Sequence, residues 1–329
     1  MRNAASIAAL LAIALAASPN EKAAKTVGRA GIKTPGIQIP LSRLASEVEI
    51  PAANPDWLFF SESLWIPKPD ALLRIDPKTN QPFDPIASLS EPCGGMVSAF
   101  GSLWAPLCGN GSLARIDAKT FKITATLQTG VSSMHHVIAA SDDSIWLLTD
   151  DKTTLARIDP DQNTVVGETR LAAGCRAPLF AEKSLWIACP AKNKVLRLNP
   201  ATNLIDKQIE VAGNPEALTS GEGSVWVLCS KEGKVARIDP KTNQVSKTID
   251  LEIPGASGEI AFHEGSVWVS VPGFPLTRID PKQDTVAQQF YGAGGGVLAV
   301  SPGALWLAHV TAGKVLRIDP KRVLATLAE

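Results

Sequence analysis

The chain has no run of apolar residues long enough to cross a bilayer, no block of basic residues and no surplus of either charge. Its 329 residues hold 32 basic and 32 acidic side chains, for a formal net charge of zero. That balance gives no electrostatic support to binding nucleic acid or an anionic membrane. There are only four His residues, with no close-spaced ligand motif, which argues against a tight transition-metal site. Nucleophile elbows, Gly-rich phosphate loops and Cys–His catalytic signatures are also missing. The longest apolar stretch, Ala4 to Ala17, follows Met1-Arg2-Asn3 and ends among small residues. It reads as a signal peptide over residues 1–17, too short for a transmembrane helix. A periplasmic or secreted protein with no membrane anchor after cleavage is expected.

What the chain has in abundance is repetition. A Ser/Ala–aliphatic–Trp step recurs at Trp65, Trp104, Trp146, Trp186, Trp226, Trp268 and Trp306, at intervals of 38 to 42 residues. Nine to eleven residues after each Trp comes Arg-(Ile/Leu)-(Asp/Asn), as in Arg237-Ile238-Asp239. A period near 40 with four short strand-like runs per unit predicts an all-β, seven-bladed propeller of four-stranded antiparallel blades. Residues 18–45 read as a flexible lead-in and 46–329 as the propeller, expected to be a monomer. In the fifth unit, Glu216 to Thr219, Ser224 to Cys229, Lys234 to Ile238 and Gln244 to Leu251 are the four strands. The Asp239-Pro240-Lys241-Thr242-Asn243 turn joins the last two. Closure of the ring falls either to Ser46–Ile50 or to Val323–Leu327, and the N-terminal run fits better. Glu47-Val48-Glu49-Ile50-Pro51 matches Asp250-Leu251-Glu252-Ile253-Pro254.

Export gives the Cys residues meaning. Cys93 and Cys108 flank one predicted hairpin, and Cys175 and Cys189 another, so each pair is expected to form an intra-blade disulfide. Cys229 lacks an opposite Cys and reads as a buried free thiol. A buried Trp removes ~200 Å² from water, a gross gain of about 5 kcal/mol, which accounts for the Trp repeat without a ligand. The repeated Arg residues read as ion pairs or carbonyl clamps between blades.

The Ser-Val-Trp-Val…Arg-Ile-Asp-Pro-Lys-Thr-Asn string resembles the bacterial YVTN-type and virginiamycin B lyase-like propeller families over about residues 52–322. The resemblance implies the propeller fold. Lyases of that kind open a cyclic antibiotic by elimination, with a metal ion, a channel His and a Glu-x-His pair. No Glu-x-His occurs in this sequence.

If the repeats encode scaffold, function lies where they differ. The start of the innermost strand holds Asp56, Gly94-Gly95, His136, Arg176, Glu216, Glu259 and Gly295-Gly296 in successive units. Such a ring would bind a small molecule or a protein partner at the central channel face. Arg176 suits a carboxylate, Gly295 and Gly296 a close backbone approach, and His309 would join Asp56 and His136 at the mouth. His135, next to His136, should point away. The alternative function is a metal-assisted lyase for a cyclic or carboxylate-bearing substrate, with His136, Glu216 and Glu259 catalytic. A loosely held Mg2+ or Ca2+ on the carboxylates stays open. So does the plainer reading, in which the channel groups are solvated or paired, for instance Arg176 with Glu216.

Overall fold

The computed structural model describes residues 30–52, 55–151 and 154–326. The expected signal peptide, residues 1–17, lies outside the described residues, as does Leu327. From Gly31 onward the chain forms one unit.

Seven antiparallel sheets are arranged in a ring, each contributing one innermost strand to a central channel. Those inner strands are Phe59–Ser61, Val97–Ala99, Ile138–Ala140, Arg176–Ala181, Pro215–Gly221, Glu259–His263 and Leu298–Ser301. The fifth blade shows the plan. Pro215–Gly221 runs from the channel mouth, Ser224–Cys229 returns, Lys234–Asp239 descends and Gln244–Asp250 forms the outer edge. The second strand is buried along its whole length, because it is packed on both faces by neighbouring blades. Among the described residues no helix is long and apolar enough to cross a membrane.

All seven repeated Trp side chains are at most 1% exposed. Burying an indole leaves one N–H to satisfy, and the tight turn five residues upstream does so for six of the seven, Trp65 Nε1 being left without a partner. Trp186 Nε1 donates to the Ala181 carbonyl at 3.0 Å, Trp226 to Gly221 at 3.1 Å and Trp306 to Ser301 Oγ at 2.8 Å. Five of the seven repeated Arg side chains are clamps that join blades. Arg197 Nη1 donates to the Pro240 carbonyl at 2.6 Å and to Asn243 Oδ1 at 2.7 Å, both in the next blade's turn. Arg317 makes the same pair of bonds to Pro77 and Asn80, linking blade seven to blade one. The Asp two residues after each Arg, Asn199 in blade four, has a separate task. Asp239 Oδ1 accepts from the Lys241 N–H at 2.8 Å, capping its own turn.

The ring closes through the N-terminal strand. Val48–Pro51 pairs antiparallel with Lys314–Ile318, placing Val48 opposite Arg317 and Ile50 opposite Val315. The competing C-terminal run is a helix, Pro320–Ala325, because Asp319 caps its start and Pro320 occupies its first turn.

The 18–45 stretch expected to be flexible is ordered over its second part. Gln38–Pro40 adds in parallel to Thr285–Tyr291 as a fifth strand of blade six. Buried Ile39 and Leu44 join Leu276 and Phe290 in one cluster. Two apolar anchors outweighed a composition that reads as linker.

Both disulfides form, Cys93–Cys108 with Cα atoms 5.8 Å apart and Cys175–Cys189 at 4.1 Å. Cys229 is free and buried, and burial pushes its thiol pKa up to about 12.

Candidate ligand site at the channel mouth

Each inner strand begins at the same end of the channel, so the residue preceding or opening it faces the mouth. Asp56, His136, Arg176, Glu216, Glu259 and Gly296 therefore line a single cavity of about 400 Å³. Five of those positions come from five different blades and carry ionisable side chains. Gly94 and Gly95 border a second space of about 290 Å³ farther along the channel, lined by Trp57, Met96, Ile138 and Leu298. His136 and Glu259 border both spaces.

His136 and Glu259 are paired, Nε2 to Oε2, at 3.0 Å. They belong to blades three and six, as nearly opposite as a seven-membered ring allows, so the pair spans the channel between its two spaces. Its side chains keep 31% and 17% exposure. Burial acts to lower the His136 pKa, but the Glu259 charge and hydrogen bond override it. Arg176 opposes and Glu216 reinforces, and the net result lies above the ordinary 6.5.

The backbone fixes where His136 sits. Its φ is +55°, a left-handed conformation costing about 1–2 kcal/mol in a non-Gly residue. Bonds on either side hold it there: Val137 N to the Gly94 carbonyl at 2.9 Å, and Ala177 N to the His136 carbonyl at 2.8 Å. Three consecutive blades are thus stitched together at the mouth.

Glu216 is 7% exposed and has a prepared bed. Its Oε1 accepts from Asn214 Nδ2 and from Ser257 Oγ, the latter at 3.0 Å, and Asn214 Nδ2 also reaches Ser230 Oγ at 2.6 Å. Sequence reading missed this support. The Asn214-Pro215 step, a turn signal at the entry to a strand, was the available cue; nothing in the sequence pointed to Ser257.

Arg176 is different. Its Nε is buried without a hydrogen-bond partner, and among the described residues it forms no ion pair with Glu216. The plain reading of an Arg176–Glu216 pair does not hold.

Two further residues depart from expectation. His135 is exposed and lines the same cavity as His136. Alternation of side chains holds only within a strand, and the inner strand of blade three begins at Ile138. His309 is absent from the mouth wall. It lines a separate cavity with Leu41, Tyr291 and Lys314, and its Nδ1 lies 3.3 Å from Thr311 Oγ1. Gly295 packs tightly, since a Cβ there would lie 2.3 Å from the Val271 carbonyl oxygen, whereas Gly296 reaches the cavity.

The residues present do not make a ready metal site. Among the described residues no three His, Cys, Asp or Glu side chains come together to hold an ion. Glu259 is taken by His136, and Glu216 Oε1 already accepts two hydrogen bonds.

Residues 110–276, half of the chain, match the family model described as "Domain of unknown function (DUF5074)". The chain belongs to that family. The match runs from the second blade into the sixth and contains His136, Arg176, Glu216 and Glu259. No curated protein matches the chain. Among solved structures, it is similar to virginiamycin B lyase from Staphylococcus aureus at 16% identity and a TM-score of 0.65, covering 83% of this chain and 98% of that one. The WD40 domain of Pan2 from Neurospora crassa aligns at 14% identity and a TM-score of 0.65, covering 82% and 90%. BamB from Moraxella catarrhalis aligns at 12% identity and 0.61, covering 80% and 84%. These likenesses establish the propeller fold, the expected virginiamycin B lyase-like one among them.

Proposed function

We propose that this DUF5074 protein is an exported propeller that binds a small ligand in the mouth of its central channel. One observation carries the reading: five blades each deliver an ionisable side chain to one cavity, and Arg176 arrives there without a partner. The repeated Trp and most of the repeated Arg residues are consumed by the scaffold, so the mouth is where chemistry is left over. A cavity of about 400 Å³ lies within the ~300–1,000 Å³ usual for small-molecule pockets. Two disulfides support an oxidising compartment, periplasmic or extracellular.

A second reading, turnover of the bound ligand, is favoured by the His136–Glu259 contact. A His held by a carboxylate can take or give a proton. Elimination would use His136 as the base, with Glu259 orienting it and stabilising the imidazolium.

The test is a thermal-melt scan of the mature protein against divalent metals and a small-molecule library that includes a cyclic depsipeptide. His136→Ala and Glu259→Gln are run beside the wild type. A ligand-dependent rise in melting temperature that both variants lose supports the mouth as the binding site. Shifts untouched by either variant overturn it. Loss of the depsipeptide in a follow-up assay with wild type alone would favour the lyase.

A further inference from the structure

Arg176 and Glu216, the first and second residues of the inner strands of adjacent blades, face the same cavity, yet they do not pair. Each is left with unused capacity. Arg176 Nε is buried and unbonded. Glu216 is anchored through Oε1 alone, by Asn214 and Ser257, and its Oε2 makes no hydrogen bond among the described residues. A cation and an anion held side by side and apart match a ligand that carries both charges close together.

The remaining wall disfavours simpler ligands. A dianion would meet Asp56, Glu216 and Glu259, and a bare cation would leave Arg176 without an anion. Past His136 and Glu259 most of the side chains that border the channel are of apolar type, among them Phe59, Phe60, Leu218 and Val300, with polar atoms still on the wall between them. Resting on the reading of the mouth as a ligand site, we propose that it takes an α-amino acid with an apolar side chain as the zwitterion. The carboxylate lies on the Arg176 guanidinium, the ammonium on Glu216 Oε2, and the side chain points along the channel. Arg forks suit carboxylates geometrically, and a site built around a charged group discriminates strongly against ligands that lack it.

Isothermal titration at pH 7 with L-leucine, glycine, N-acetyl-L-leucine and L-leucinamide tests this on wild type, Arg176→Gln, Arg176→Lys and Glu216→Gln. L-leucine should bind best. Each capped derivative loses one charge and should bind at least ~30-fold more weakly, as expected for an unpaired charged hydrogen-bonding group. Arg176→Gln should abolish leucine binding, and Arg176→Lys should restore part of it. Glu216→Gln should narrow the gap between leucine and its N-acetyl form. Near-ultraviolet circular dichroism of the buried Trp residues confirms that each variant is folded. N-acetyl-leucine or leucinamide binding as tightly as leucine overturns the proposal. So does silence with leucine while another compound binds the mouth in a His136- and Glu259-dependent way, which would leave the mouth reading standing. No binding by any compound, in titration or in the melt scan, overturns both.

Discussion

The His136–Glu259 contact makes stability depend on pH in a direction that can be worked out. His136 has a folded pKa above its ordinary 6.5. Its contribution is therefore fully present below the unfolded value near 6.5 and fades as pH rises through the folded one. A charge-assisted hydrogen bond at 3.0 Å contributes about 1–3 kcal/mol when its donor is protonated. For a chain of this size each kcal/mol shifts the melting temperature by roughly 1.5–2 °C. Glu259→Gln keeps the shape and removes the charge, so the wild type should melt about 2–6 °C above the variant near pH 5.5. The gap should close as pH approaches 9. The other groups facing His136 are Arg176, Glu216, Asp56 and His135; all are present in both proteins and cancel in the difference. Melts at half-unit pH steps, with an NMR titration of the His136 ring, give both quantities. A gap that does not change with pH, or a His136 midpoint at or below 6.5, would refute the pairing across the channel.

The Cys175–Cys189 bridge closes a loop of 14 residues, so Cys175→Ser with Cys189→Ser should cost about 3 kcal/mol in melting or urea unfolding. Because Cys175 adjoins Arg176, that double variant should also weaken ligand binding at the mouth more than a denaturation-matched change in an outer strand. Arg197→Ala should cost about 2–4 kcal/mol, since it removes two short bonds to the next blade's turn. Arg157→Ala should cost only ~1–2 kcal/mol, because its bond to Asn203 is 3.4 Å long and its Asp143 partner is 61% exposed. Equal costs in chemical denaturation would show that the clamp is not the source of the effect.

The framework was legible because its demands recur. A Trp that must be buried and an Arg nine to eleven residues later recur seven times, and an Asp/Asn-Pro-x-x-Asn loop follows in four of the units. The mouth was legible only as a set of positions, one per blade, taken by residues that break the repeat. Which of them touch was not, since the His136–Glu259 pair joins residues 123 positions apart, through a geometry set by the ring and by the +55° φ of His136. His135 went wrong for the same reason: the period-2 rule was applied to residues that precede the strand. His309 went wrong because the short helical turn Val310–Ala312 follows it directly, and the added N-terminal segment builds its own cavity there.

Breaking the repeat is not by itself a mark of function, and blades one and six show why. Arg74 has Phe121 where the clamping Arg residues meet an Asn or, for Arg237, Asp284, and its guanidinium lies 3.7 Å from the Phe83 ring centre and 3.8 Å from that of Phe121. Stacking has replaced the clamp at a blade interface. Arg278 finds a helix at Pro320 where the other blades present a turn. It bonds instead to Gln288 Oε1 at 2.7 Å, and Gln288 Nε2 passes the link to Thr326 Oγ1 at 2.6 Å. Arg278 is 7% exposed, and desolvation lowers its pKa, so this relay matters to stability. Both exceptions are filled at the seams of the ring: Arg278 is hydrogen-bonded, and Arg74, although its Nε makes no hydrogen bond, is sandwiched between two rings. Arg176 is also an exception to the repeat, but it opens into a cavity with its Nε unbonded and an opposite charge beside it that it does not reach. A departure from the repeat becomes evidence for a ligand only when, as here, the fold leaves the departing residue unanswered.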